Sequence, residues 1–341
     1  MKILLANDTA VSWHIGCQAV SDGHARMLGR AGHEVLHRVF LRSLDRHAAG
    51  RDDDVVASLR GDESLMARIE AVDAVVVNGE GTIHHGRGRP LLGLLELAQS
   101  LKKPTFLVNA VFQDSDSFLP ALKRLDDFTV RDGRSLAYAE SLGLRARRVA
   151  DSVLAATFDE APADLTGDVV SDGHSQRKDA VAALDGFRAA TGAAWLPFDD
   201  KRAQDSWRTV PARLKGADIL VTGRHHGIYM ALKAGIPFVA LGSNTFKVEG
   251  VLEDLGRTDL LAASLDDILA IRARVVTRRD DFAHLADRLT GGEPLTTFRA
   301  LGVAGPSREE AEVARLLRQR DQRWRAMRRE KRLAAETASR S

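Results

Sequence analysis

The stretch 218–241 carries the densest chemical signal in the chain. It reads strand, turn, helix, turn, strand, with Arg224, His225 and His226 at the first strand's carboxyl end and Gly227 opening the helix. A guanidinium there offers a planar fork of donors matched to a carboxylate or phosphate. An imidazole at His226 passes protons near neutral pH. The helix start adds backbone N–H groups, that of Gly227 among them, and a dipole that favours an anion. The competing reading is a polar turn capping a helix, yet bulky titratable groups at a strand's carboxyl end are an energetically costly way to build one. The next loop, 242–250, carries Asn244 and puts Lys247 in the first turn of the following helix. Lys247 is then either a surface lysine or a point charge on the anion that Arg224 grips. No metal site is expected, because adjacent histidines diverge and no carboxylate or cysteine stands at ligand spacing from them.

The first half repeats this arrangement more weakly. Asn78, Gly79, Glu80, Gly81 and His84 follow an apolar run. Glu80 and His84 are candidates for ordering sugar hydroxyls or serving as a base, and a tight turn with solvated polar groups explains them equally well. Residues 7–17 include Ser12, His14 and Gly16, which can face a cleft, and Cys17, which reads as a small buried residue rather than a nucleophile. This loop lacks the glycine pattern of a dinucleotide site and the Gly-Lys-Ser/Thr of a P-loop, which argues against cofactors of those kinds. Arg131 is either a second anion ligand, with Asp132 orienting it or capping the next helix, or part of a structural turn.

The elements that must position these residues follow from hydrophobic periodicity. Short apolar runs at 2–6, 34–40, 74–78, 104–111, 127–130 and 145–150 alternate with helical patterns at 16–30, 55–69, 91–101, 120–125 and 135–142. Such alternation is the signature of βαβ units feeding a parallel sheet. After a polar stretch at 159–164 the pattern restarts: strands at 167–171, 194–198, 219–222 and 237–241, with helices at 178–191, 205–214, 227–234 and 247–255. A helix is expected over 266–288 and a long Arg-rich one over 309–335. The reading is an α/β chain with Rossmann-like domains at 1–158 and 159–292 and a basic helical tail at 293–341. A cleft between two doubly wound halves is the expected ligand site.

Composition agrees with a globular enzyme. The chain has 341 residues, 44% of them hydrophobic and 28% charged, enough for two cored domains. One cysteine cannot form an internal disulfide, and the start has no secretory pattern, which points to the cytoplasm. The net charge of +2 is uneven: residues 307–341 hold 11 Lys and Arg against 6 Asp and Glu, and the remainder 38 against 41. The basic tail is either a solvated helix face or a contact for nucleic acid, an acidic partner or anionic lipid, the last as peripheral contact at the inner face of a membrane.

Together these segments resemble the polysaccharide pyruvyl transferase family. The similarity is sharpest from Thr222 to Ile228, which is like that family's Arg-x-His signature, and continues through Ala234 to Pro237 and Lys247. Asn78 to Thr82, Val130 to Ser135 and Ala150 to Ser152 are similar to its first-domain landmarks, and the resemblance covers about residues 1–260. The loop at 7–17 departs from the family's commoner Asn-x-Gly-Asp pattern. The resemblance implies a GT-B-like pair of domains facing across a cleft, and a transferase that moves the pyruvyl group of phosphoenolpyruvate onto a saccharide to form a ketal in cell-envelope polysaccharide. It implies phosphoenolpyruvate as co-substrate, with no further cofactor, no metal and no nucleic acid. Carried over by position, Arg131, Arg224, Lys247 and Gly227 hold the donor and His226 is the proton donor, while Ser12, His14, Asn78, Glu80, His84, His225 and Asn244 line the acceptor side or the cleft. The competing readings are a GT-B glycosyltransferase using a nucleotide sugar, which needs a base-stacking pocket, and a non-catalytic binding or assembly protein.

Overall fold

A computed structural model describes residues 1–200 and 206–303, and residues 1–302 form one compact unit. The strands are β1 (Lys2–Ala6), β2 (Glu34–Val39), β3 (Ala74–Asn78), β4 (Thr105–Ala110), β5 (Asp127–Val130), β6 (Arg147–Arg148), β7 (Gly167–Gly173), β8 (Ala194–Trp195), β9 (Ala217–Gly223), β10 (Phe238–Leu241) and β11 (Leu261–Ala262). They build two sheets, in the orders β2-β1-β3-β4-β5-β6 and β11-β10-β9-β7-β8, with every pairing parallel. Parallel strands covered on both faces read as continuous apolar runs, and β3 and β4 are buried at every residue.

Strand order decides where ligands can bind. In the first sheet the chain runs outward from β1 to β2 and then returns to place β3 on the other side of β1. In the second it does the same with β7, β8 and β9. The loops leaving β1 and β3, and those leaving β7 and β9, therefore diverge at two switch points and open crevices at the carboxyl ends of the strands. The halves are also tied together. Ile15, Ala19 and Val20 of the first helix, with Val153 and Ala156, share one hydrophobic cluster with the strands of the second sheet. A bidentate Arg134–Glu253 pair, at 2.9 and 2.6 Å, joins helices Gly133–Ser141 and Lys247–Leu255.

Three expectations change. The single helix over 55–69 is two, Asp52–Arg60 and Glu63–Glu70, because Gly61 ends the first and the Asp62 side chain accepts from Leu65 N to cap the second. The helix over 266–288 stops at Val275, and a separate short helix spans Leu285–Thr290. The segment 293–302 is not tail: Phe298 and Leu301 pack with Ile3, Leu5 and Val76 on the first sheet, and Arg147 donates to the Thr296 carbonyl at 2.5 Å. Residue 205 of the expected 205–214 helix and the Arg-rich helix at 309–335 lie outside the described residues; the helix described there is Val210–Leu214. Among the described residues no helix is long and apolar enough to cross a membrane.

Candidate active site

A buried carboxylate organises the centre. Asp151, which follows β6, accepts from Arg131 at 2.7 Å and lies 3.3 Å from His225 Nε2 and 3.8 Å from His226 Nε2. Its other oxygen accepts from Val153 N at 2.9 Å. Burial opposes its ionisation, but Arg131 and the two histidines together hold the carboxyl well below the usual carboxylate range. Arg131 is thus behind the histidines, with a side chain 1% exposed and a guanidinium on Asp151, and does not face open cleft. Removing either partner of a buried pair of this kind costs about 3–5 kcal/mol, because the survivor is left charged and unpaired.

The two adjacent histidines take different surroundings, as neighbours at a helix start must. His225 has an acceptor at each ring nitrogen, the Lys247 carbonyl at 3.1 Å and Asp151 at 3.3 Å, and burial beside Arg131 lowers its pKa to about 4, so the neutral ring donates to one of the two at a time. His226 points across the cleft to the first sheet's loops. Its Nε2 lies 3.2 Å from Glu80 Oε1, and both atoms are buried without a hydrogen-bond partner. Burial takes the His226 pKa well below its ordinary value, with Asp151 pulling the other way. Burial, reinforced by the Asp151 charge, raises Glu80 to about 7. A carboxyl that binds its proton near neutrality therefore lies 3.2 Å from a free imidazole nitrogen, and a small rotation of either group aligns the two to share and deliver one proton. Asn78 Nδ2 and Thr9 Oγ1 donate to the remote Glu80 oxygen at 3.3 and 3.2 Å, which orients it.

Cations lie on the opening side. Arg224 donates through Nε to Asp172 at 2.6 Å and lies 3.5 Å from Asp199. Lys247 Nζ donates to Asn244 Oδ1 at 2.7 Å, and burial next to Arg131 lowers its pKa to about 7. A cation so desolvated regains its charge when an anion arrives. Gly227 plays a different part from the one its position suggests. The helix begins at His225, the Gly227 N–H goes to the Arg224 carbonyl at 2.9 Å, and a Cβ there would collide with Thr222.

The remaining candidates gather around the same opening. His14 caps the first helix, accepting from Cys17 N at 3.3 Å, and its ring packs edge-on against His226 at 5.2 Å between centroids. Ser12 shapes that loop by accepting from His14 N at 3.1 Å. His84 donates through Nε2 to the Gly81 carbonyl at 3.1 Å and leaves Nδ1 buried and unpartnered. Loops of the two sheets meet here, with Gln113 Oε1 accepting from Phe246 N at 3.1 Å. Sequence reading did not single out Asp151, Asp172 or Asp199 as site residues. Ala150 to Ser152 was a landmark of resemblance only, and the partners of all three aspartates come from distant strands. Beside Asp172 a cavity of about 440 Å³ is lined by Lys178, Val181, Leu184 and Trp195.

Comparison with known proteins agrees with this architecture. None of the curated proteins compared matches the chain. Among solved structures, a UDP-GlcNAc 2-epimerase from Methanocaldococcus jannaschii shares 10% identity at a TM-score of 0.51, covering 86% of this chain and 98% of that one. An enzyme described as a putative UDP-N-acetylglucosamine 2-epimerase from Listeria monocytogenes shares 10% at a TM-score of 0.53, covering 85% and 90%. At such identity the likeness concerns the GT-B fold alone. The family model for polysaccharide pyruvyl transferase matches residues 14–245, which takes in the His14 loop, Glu80, Arg131, Asp151 and the Arg224 turn. With that match over most of its length, the chain belongs to the polysaccharide pyruvyl transferase family and is a transferase.

Proposed function

We propose that this transferase moves the pyruvyl group of phosphoenolpyruvate onto a saccharide, forming a cyclic ketal in cell-envelope polysaccharide synthesis. The observation that carries the reading is the His226–Glu80 pair at 3.2 Å, set beside Arg224 and Lys247 at the carboxyl edges of both sheets. Phosphoenolpyruvate bears a phosphate and a carboxylate on one enol carbon, so it needs separated cations to be held without self-repulsion. Arg224 and Lys247 take those two groups. Arg131 acts through Asp151, as a positioning residue for the histidines.

The chemistry then runs through His226. Glu80, which keeps its proton up to about pH 7, hands it to the neutral His226 ring as a ring proton moves to the methylene carbon, using the enol π pair and leaving an oxocarbenium-like centre on the neighbouring carbon. A saccharide hydroxyl attacks that centre and gives its proton to the His226–Glu80 pair, which restores the acid. The carbon–phosphate oxygen bond breaks, and a second hydroxyl of the same sugar closes the ketal, its proton leaving with inorganic phosphate. Asn78, His84, Ser12 and His14 stand on the side from which the sugar approaches. The basic tail, outside the described residues, is assigned contact with an anionic membrane surface, close to a lipid-linked acceptor.

A second reading is favoured by one observation: Trp195 lines one cavity together with Asp172, the carboxylate that Arg224 donates to, and an aromatic wall is what the base of a nucleotide sugar requires. One ligand screen separates the two. Phosphoenolpyruvate should raise the thermal midpoint of the purified protein, and Arg224→Ala should abolish the shift. Stabilisation by nucleotide sugars with none by phosphoenolpyruvate overturns the pyruvyl assignment.

A further inference from the structure

We infer that His14, Cys17 and His226 form a binding site for a divalent cation of the zinc class. One ligand atom from each lies within 4.8 Å of the other two, a convergence that brings His226 from the second half of the chain to a pair on the first helix. The first helix makes it possible. His14 is the N-cap of that helix and Cys17 sits in its first turn, so the i, i+3 relation turns both toward the β9 turn. Between them stands Gly16, where an added Cβ would collide with the His226 ring, so the missing side chain lets His226 approach. A second observation points to a ligand independently: His226 Nε2 is buried, with no hydrogen-bond partner.

The donor set selects the ion. Two imidazoles and a thiolate make the three-protein-ligand arrangement that leaves a fourth position open on zinc, whereas calcium and magnesium want oxygen. Zinc–nitrogen and zinc–sulfur bonds place such ligands roughly 3.3–3.6 Å apart, so side-chain rotation must close the cluster by about 1 Å. His226 Nε2 has no hydrogen bond to give up, whereas His14 Nδ1, where it coordinates, releases the Cys17 N–H it now accepts at 3.3 Å. Cys17 is the proton-releasing ligand: its thiol proton goes to solvent as the metal–sulfur bond forms. Glu80, beside His226, stands where it can reach the fourth position or accept from a water bound there. A metal that takes the His226 lone pair also removes the proposed acid. The corollary, which rests on the pyruvyl transfer reading, is that metal and turnover exclude each other.

The test needs no substrate. The full-length protein, freed of metal by chelation, is titrated with Co²⁺ and then with Zn²⁺. The expected result is one equivalent of Co²⁺ giving a thiolate-to-cobalt charge-transfer band and the visible bands of a four-coordinate ion, both erased by Zn²⁺. Cys17→Ser and His14→Ala, each confirmed as folded by circular dichroism, should lose the charge-transfer band or weaken Zn²⁺ binding about tenfold or more. No binding, cobalt binding without the thiolate band, or unchanged affinity in both variants overturns the site. If the band appears but phosphoenolpyruvate never stabilises the protein, the metal site stands and the pyruvyl transfer reading falls.

Discussion

At the scale of single residues, two groups titrate near neutrality for opposite reasons. Burial raises Glu80 to about 7 because its charged form is the ionised one, and burial lowers Lys247 to about 7 because its charged form is the protonated one. The productive free enzyme needs both protons: one to be delivered through His226, one to keep Lys247 cationic for the donor. Both are lost as pH rises through about 7, so kcat/KM for phosphoenolpyruvate should fall on the alkaline side. The Lys247→Arg variant, whose cation does not titrate there, should fall less steeply. A profile flat to about pH 9 counts against both roles. His226→Ala should lose about a hundredfold or more in kcat with the thermal midpoint little changed. Arg224, His226 and Lys247 were legible as a unit, since bulky polar groups after apolar runs have few structural explanations. Asp151 was not, because a lone Asp before a short turn looks like a cap, and it does accept from Val153 N; its buried partners arrive from two other strand ends, those of β5 and β9.

Elements place these residues through close approach of backbone to side chain. Gly16 lies in a regular part of the first helix, where alanine has the better helix propensity, so local preference alone says that Gly16→Ala is stabilising. The fold says the reverse, because the new methyl would overlap the His226 ring. The expected outcome is a loss of about 1–3 kcal/mol in chemical denaturation and a fall in kcat larger than any rise in KM, since His226 is the group displaced. An unchanged or improved kcat would show that the helix can shift away without disturbing the acid. The alternation of apolar runs gave away every strand but the two-residue β11, since parallel strands buried on both faces have few polar interruptions. Helix breaks were harder: Gly61 and Asp62 sit inside a pattern whose apolar residues keep helical spacing on both sides, and only the capping geometry reveals two helices.

For the whole molecule the question is where the folded unit ends. Nothing in the periodicity of 293–302 marks it as sheet-packing, because it offers only two large apolar anchors after Leu295, Phe298 and Leu301, and they bury against strands from the far end of the chain. Ending the protein at residue 303 should leave the thermal midpoint and the phosphoenolpyruvate-induced shift intact. Ending it at residue 295 removes both anchors and the carbonyl that Arg147 holds, and should cost several kcal/mol, about what a buried Phe alone is worth. The same pair of proteins tests the tail. Residues 304–341 contain all 11 Lys and Arg counted in the basic stretch, so attraction to vesicles rich in anionic lipid should vanish at low salt in the 303-residue form. Retained vesicle binding in that form would place the membrane contact on the folded unit and leave the tail without that role. Weakened binding accompanied by an unchanged phosphoenolpyruvate shift would divide the chain into a catalytic body and a segment that brings it to its acceptor.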